Sequence, residues 1–595
     1  MNKLISAASL CLLLSPSIFA QNIDLQLLTT NPRFDTVVPD NSWAQNISVG
    51  QVLEQYAPVQ VKSSGFGSSE LLNIRGQSKG IQFYLDGAPL PMDSTGFTDM
   101  STIPTAVIDH VEIQKGFSAG STGGAGAVYI YTKTPQPGVT LVDASSEVSK
   151  YKTNIFNAGV QSSALNIPFK INYSQDQSDG FQQNSGFDKK SFNLSVNLPW
   201  DYAPIVSYLY TDSYMGLPGG TDVPVDDWNG SKEQAAITPD DWMHDKLNSV
   251  TVSRSLGRLN YSASYTNLDR SSLMYGSVSE FKTDDAAAKL EYAVLKQLAL
   301  GADWHYSQLD TNATYFTKQK FDYNIYSGYA IANIPIGFLD AGLSARYDRH
   351  DYWNDNLSYK AQLSTRGKIK LFAAGSSAVM FPSIADYDSN PDTLKPEQNM
   401  TAEIGAEGTA GDLSFKTNIF YSEIKDKVAI VQTGPFIWQS VNVGKGRNSG
   451  LEAALNYNIG DLRNTLIYNF ADYQINPYGT GGYEQAQFAP QNIVRLNNVF
   501  TAGKWEFLSM LNWTGTQYTD MGKTGVRLPA YVDWTLSVER KIGQGSIYGG
   551  VRNMLNQHYA KNGMFNSFNP PGQQNILYPN PPLTFFLGVK YKLFN

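Results

Sequence analysis

From about Gly138 to the C-terminus, side chains alternate apolar and polar, and this constrains the chain more than any other feature. In "SFNLSVNLPW", Phe192, Leu194, Val196, Leu198 and Trp200 share one face while Ser, Asn and Pro fill the other. In "LNYSASY", Leu259, Tyr261, Ala263 and Tyr265 do the same, and Val532, Trp534, Leu536 and Val538 oppose Asp533, Thr535, Ser537 and Glu539. Period two predicts strands with one apolar and one wet face. The longest apolar stretch, Gly328 to Leu343, is broken by Asn333, Pro335 and Asp340, so a helical membrane protein is excluded.

A soluble sandwich also alternates, but its strands are shorter and its outer face carries Lys and Glu. Here only 16% of residues are charged, against roughly 25% in a soluble domain. The wet face is rich in Ser, Asn, Asp and Thr, and aromatics gather near strand ends as an interfacial girdle requires. The pattern therefore predicts an outer-membrane β-barrel, closed because lipid cannot satisfy an open strand edge. Twenty-two strands of about 10 residues fit the tract 139–595, and sixteen strands with longer loops fit as well. The net charge of −8 argues against a nucleic-acid partner.

The N-terminus reads as a secretory signal over residues 1–20. Lys3 supplies the positive region, Leu4 to Leu14 the apolar region, and Ser15 to Ala20 the cleavage site before Gln21. Cys11, the only cysteine, lies inside it, so the mature chain has no thiol. Between signal and barrel lies a compact strand-and-turn block. In "NIRGQSKGIQFYLDGAPLP" (Asn73–Pro91), Gly76, Gly80 and Gly87 mark tight turns between short apolar stretches.

That block resembles the plug of TonB-dependent outer-membrane receptors. The resemblance rests on "ISVGQVLEQYAPVQVKSSG" with its turn Ala57-Pro58-Val59, and on "LNIRG" (Leu72–Gly76) and "FYLDGAPL" (Phe83–Leu90). It continues in a helix-and-strand element "STIPTAVIDHVEIQKG" (Ser101–Gly116) and a closing strand "GGAGAVYIYTKTP" (Gly123–Pro135). Barrel segments Met380–Glu407, Val441–Leu455 and Val551–Tyr559 resemble the family too. Departures are Lys115 in place of the more usual Arg, Tyr129 and Tyr131 at usually polar positions, and an ending "GVKYKLFN" whose terminal aromatic falls one residue early.

The resemblance implies an all-β membrane protein, a 22-stranded antiparallel transmembrane β-barrel with an N-terminal α+β plug domain in its lumen. The expected divisions are 1–20 signal peptide, 21–46 periplasmic segment, 47–138 plug and 139–595 barrel. The plug would stop a wide barrel from leaking. "FDTVVPD" resembles a TonB box, with Asp35, Thr36, Val37, Val38 and Pro39 as the strand donated to TonB; an ordinary flexible lead-in is the alternative. The implied location is the outer membrane of a Gram-negative bacterium. Implied partners are TonB with its inner-membrane motor complex, the barrel-assembly machinery, outer-membrane lipid and a small-molecule cargo, with the receptor a monomer. The cargo expected from the family is a ferric siderophore, with cobalamin or another metal chelate as the alternative.

Arg75 and Lys115 are cations in expected plug strands, and an unpaired buried charge is costly. The resemblance suggests barrel carboxylates Glu403 and Glu452 as their partners; otherwise they face lumen water. Substrate contacts are expected from the plug turns Lys62–Glu70, Gln77–Lys79 and Pro91–Asp99, and so from Phe66, Gln77, Lys79, Met92, Asp93 and Phe97. Asp222, Asp226 and Asp227, with Asp240 and Asp241, form an acidic loop that holds Ca²⁺ or is simply solvated. No catalytic residue or cofactor is expected. His110, His244, His305, His350 and His558 lack metalloprotease spacing, no nucleophile elbow or P-loop occurs, and Gly120, Gly123, Gly124 and Gly126 read as a turn. A passive porin and a barrel-embedded hydrolase are the competing classes. The plug-like block argues against the first and the missing catalytic constellation against the second.

Overall fold

The computed structural model describes residues 35–37, 48–63, 65–200, 202–219, 240–274, 276–313, 316–391, 393–434, 437–477, 481–523, 525–565 and 575–594. The signal segment, Val38, Pro39, Asp222, Asp226 and Asp227 lie outside them.

Twenty-two long antiparallel strands close into a barrel, from Leu141–Ser149 to Thr584–Phe594. First and last pair directly, Leu141 opposite Phe594 and Ser149 opposite Phe586, so the wall has no free edge. A two-residue rung, Glu484–Gln485, pairs beside strand Leu462–Asn476 and adds no stave. The alternation resolves as the pleat requires. Thr535, Ser537 and Glu539 are buried in the lumen while Val538 is exposed outward, and Leu371, Ile404, Ile419, Phe585 and Leu587 join it on the outer surface. Strand Phe187–Asn197 stops before Leu198 and Trp200, which fall in the following turn, where Trp200 is exposed at the barrel's edge.

The two ends differ. At one, two-residue turns such as Gly257-Arg258, Gly411-Asp412 and Gly460-Asp461 join the strands, each with its glycine at positive φ. Long connections fill the other end, among them 381–396 and 553–583. Short turns mark the periplasmic end and long loops the outer end. A wall of this kind predicts heat-modifiable migration. The unheated protein should run faster on a gel than the boiled one, and identical migration with a soluble fraction would exclude the barrel.

The lumen holds a small α+β domain. Its sheet runs in the order β1 (Asp35–Val37), β6 (Ile108–Lys115), β7 (Gly126–Thr132), β4 (Ile81–Leu85) and β5 (Ala88–Pro89). A separate hairpin pairs β2 (Gln60–Ser63) with β3 (Glu70–Asn73). Helix α1 (Val49–Tyr56) starts at Ser48, whose hydroxyl accepts from Gln51 N, and buries Val49, Val52 and Leu53. Those side chains join Phe83, Val111, Ile113, Val128 and Ile130 in the domain's own core. The helix expected within Ser101–Gly116 is only two short 3₁₀ turns, Met100–Thr102 and Thr105–Val107, separated by Pro104.

Candidate functional site

Arg75 sits in a turn rather than in the expected strand. Ile74 and Gln77 exchange two backbone hydrogen bonds of 2.9 Å, leaving Arg75 (φ 53°) and Gly76 (φ 83°) as the central pair of a tight hairpin turn. A left-handed Arg is uncommon. This one is held by Asn448, whose side-chain amide donates to the Arg75 carbonyl. At Gly76 an added Cβ would meet Tyr473 at 2.8 Å, so no larger residue fits against the wall.

The turn aims the guanidinium at the barrel. Arg75 Nε and Nη2 donate to Glu452 at 3.2 and 2.9 Å, and Nη2 reaches Glu403 at 3.3 Å. Lys115, the last residue of β6, lies 3.0 Å from Glu452. The structure thus brings together all four charges that the sequence singled out. Burial opposes the charge on Arg75, but the two carboxylates outweigh it and raise its pKa. The guanidinium also stacks over Phe420 at 4.0 Å.

Other wall-to-plug ties carried no motif. Arg346, 1% exposed, is gripped by Asp303 at 2.7 and 2.9 Å and by Asp348 at 2.7 Å, and donates to the Ala119 carbonyl at 2.9 Å. Arg495 donates to the carbonyls of Ala57 and Val59 just past α1, and Lys561 pairs with Glu54 of α1 at 2.5 Å. The one sequence signal of Arg346 and Arg495 is a cation at a wet-face position of a barrel strand, while Lys561 lies in the outer connection 553–583. Within the plug, burial pushes the Glu70 carboxyl up to about 7, partly countered by the Ser48 hydroxyl that donates to it at 2.5 Å.

At the outer end a cleft open to solvent lies over the plug apex. Its floor includes Lys79, Met92 and Asp93, three of the six expected contact residues. Asp93 accepts from Thr95 N and Phe97 N at 2.9 and 3.0 Å and so shapes the apical turn. One wall is helix α2 (Ile384–Ser389), closed by a capping box between Ser383 and Asp386. Ala385 N donates to Ser94 O at 2.8 Å and Lys79 lies 3.6 Å from Asp386, which seats α2 on the plug. Aromatic rings pack around Tyr387 of this helix and continue the lining. Tyr352 and Tyr387 stack at 4.2 Å, Trp353 meets Tyr387 edge-on at 5.4 Å, and His350 packs on Tyr323 and Phe381. Among the described residues Lys79 is the only Lys or Arg lining the cleft, against Asp93, Asp285, Asp386 and Glu397.

The other three expected contacts are elsewhere. Gln77 is buried in the Arg75 turn, where its backbone closes the hairpin. Phe66 packs edge-on against Phe187 at 5.6 Å beside a different cavity, and Phe97 lines a small space next to Arg270. Sequence reasoning grouped them by loop, but the barrel wall divides that rim into separate spaces. Among the described residues no group of three or more His, Cys, Asp or Glu is placed to hold a metal ion.

Comparisons with known proteins agree on one architecture. The family model "TonB dependent receptor-like, beta-barrel" matches residues 168–554, and "TonB-dependent Receptor Plug Domain" matches 38–128. A "Vitamin B12 transporter BtuB" of Vibrio vulnificus (strain CMCP6) is 25% identical over 92% of this chain and 89% of its own. Its counterpart from strain YJ016 is 22% identical over 85% of each. Among solved structures, the unliganded ferric citrate transporter FecA superposes with a TM-score of 0.76 at 16% identity, covering 96% of this chain and 98% of that one. The siderophore receptor PiuA from Acinetobacter baumannii gives 0.76 at 14% identity over 95% and 97%.

Proposed function

The chain belongs to the TonB-dependent receptor family of Gram-negative outer membranes, and from that premise we propose that its cargo is a near-neutral corrinoid of the vitamin B12 class. Members of this family bind small-molecule cargo and work with TonB. The observation that carries the reading is the chemistry of the outer cleft. With Lys79 set against Asp386 and Lys427 against Glu397, Asp93 and Asp285 tip the described lining negative and disfavour an anionic ferric catecholate, whereas stacked rings and carboxylate acceptors suit a large, flat, amide-rimmed macrocycle. The two vitamin B12 transporters that this chain resembles along most of its length lend support. A ferric siderophore, the cargo the family first suggests, is the second reading. The same lining admits one that is neutral or cationic.

Binding of cyanocobalamin and a panel of ferric siderophores to the purified receptor tests the choice. Cyanocobalamin should saturate one site, and Tyr387→Ala should weaken it at least about tenfold, ~1.4 kcal/mol, by removing one face of the stack. Saturation by a siderophore alone would reverse the order of the two readings. We further propose that Asp35–Pro39 is the TonB contact. Residues Asp35, Thr36 and Val37 already form an edge strand on β6, opposite Ile113, Glu112 and Val111, which supports a segment able to pair in extended form.

A further inference from the structure

Beside the aromatic rings of the outer cleft, the barrel wall holds an acid and a base that meet without bonding. Asp285, on strand Ser277–Leu295, stands opposite Ser307 on the lumen face, is 3% exposed and lines the cleft. Its neighbour in the lining is His305 on strand Leu298–Thr311, whose Nε2 lies 3.6 Å from Asp285 Oδ1. That gap is too long for a hydrogen bond. Among the described residues neither atom has a hydrogen-bond partner. The other carboxylates of the lining are tied into the fold. Asp93 accepts from Thr95 N and Phe97 N, Asp386 from the hydroxyls of Ser383 and Ser440, and Glu397 from Val428 N.

A buried acceptor and a buried donor left unbonded are costly, and a ligand that supplies both partners relieves them. We propose that Asp285 and His305 form the subsite that reads a side-chain carboxamide of the cargo, Asp285 accepting from its N–H and His305 donating to its C=O. This assignment rests on the corrinoid reading and sharpens it. The oxygen and nitrogen of a primary amide stand about 2.3 Å apart, fixed by its C=O and C–N bonds. Two roughly parallel hydrogen bonds from such a group match a donor and an acceptor 3.6 Å apart. Both atoms are covered by protein, and a turn of the His305 ring, which packs edge-on against Tyr323 at 6.4 Å, opens them to the cleft. A carboxylate in place of the amide has no N–H to give, and its charge meets that of Asp285. The pair therefore selects amide over acid.

The test is equilibrium binding of cyanocobalamin and of its monocarboxylic acids, each with one side amide hydrolysed, to the purified receptor. The wild type should bind cyanocobalamin at least about tenfold tighter than the acid altered at the amide that docks here. Asp285→Asn is close in shape, removes the repulsion and offers an N–H to the acid, so this preference should largely disappear. A purely structural Asp285 would shift the affinities for all forms alike and leave their ratio unmoved. Unheated gel migration shows whether the variant is folded. A wild type that binds every monoacid as tightly as cyanocobalamin, or an unchanged ratio in folded Asp285→Asn, would overturn the assignment while the corrinoid reading stands. Absence of cyanocobalamin saturation in the wild type would overturn both.

Discussion

Glu452→Gln is expected to loosen the plug and admit large antibiotics that the intact outer membrane excludes, while the barrel still assembles. One carboxylate here answers two cations, Arg75 at 2.9 Å and Lys115 at 3.0 Å. Neutralising it leaves both buried, with Glu403 the remaining carboxylate of the cluster, 3.3 Å from Arg75. Removing one partner of a buried ion pair typically costs about 3–5 kcal/mol, because the survivor stays desolvated. Heat-modifiable migration should be unchanged, since the strand pairing of the wall is independent of the cluster. Adding Lys115→Gln should recover part of the loss by removing the orphaned charge. Strictly additive damage in that cycle would show that the two residues are uncoupled.

The second large effect concerns energy coupling. The outer membrane holds no ATP and no sustained gradient, so uphill uptake needs work delivered from the inner membrane. Val37→Pro should reduce uptake to the background of a strain lacking TonB, while cargo binding stays within about twofold of wild type. Proline removes a backbone donor from the segment proposed to pair with TonB. The binding cleft lies over the opposite, outer end of the plug, lined by Lys79, Met92 and Asp93. Labelled-cargo binding and uptake on the same cells separate the two quantities. Full uptake by this variant would place the TonB contact elsewhere in the chain.

Much of the fold was legible because a barrel wall imposes a strict rule on sequence. A residue such as Leu587 must face lipid and its neighbour Gly588 must not, so the pattern repeats for the length of the wall. The charges Arg75, Lys115, Glu403 and Glu452 were legible through motifs that accompany them. The turn conformation of Arg75 was not, because "NIRG" reads equally well as the end of a strand, and only the Ile74–Gln77 pairing decides it. The aromatic cleft was also invisible. Tyr323 and His350 come from two adjacent strands, Tyr352 and Trp353 from the loop 351–355, and Phe381 and Tyr387 from the loop 381–396 two strands further on, and the curvature of the wall makes them neighbours. Arg346 and Arg495 bind plug carbonyls, which leave no trace in side-chain identity.

The seam between Leu141–Ser149 and Thr584–Phe594 also bears on how the molecule is made. Its partners are about 450 residues apart, and the stave that shuts the wall is the last of the twenty-two to leave the ribosome. Every earlier stave therefore crosses the periplasm before the ring can be completed, its outermost backbone donors and acceptors open to any passing strand. The entropy of closing so long a loop grows only with the logarithm of its length, so the finished ring loses little stability. The burden falls on the rate of folding and on whatever escorts the nascent chain until its ends meet.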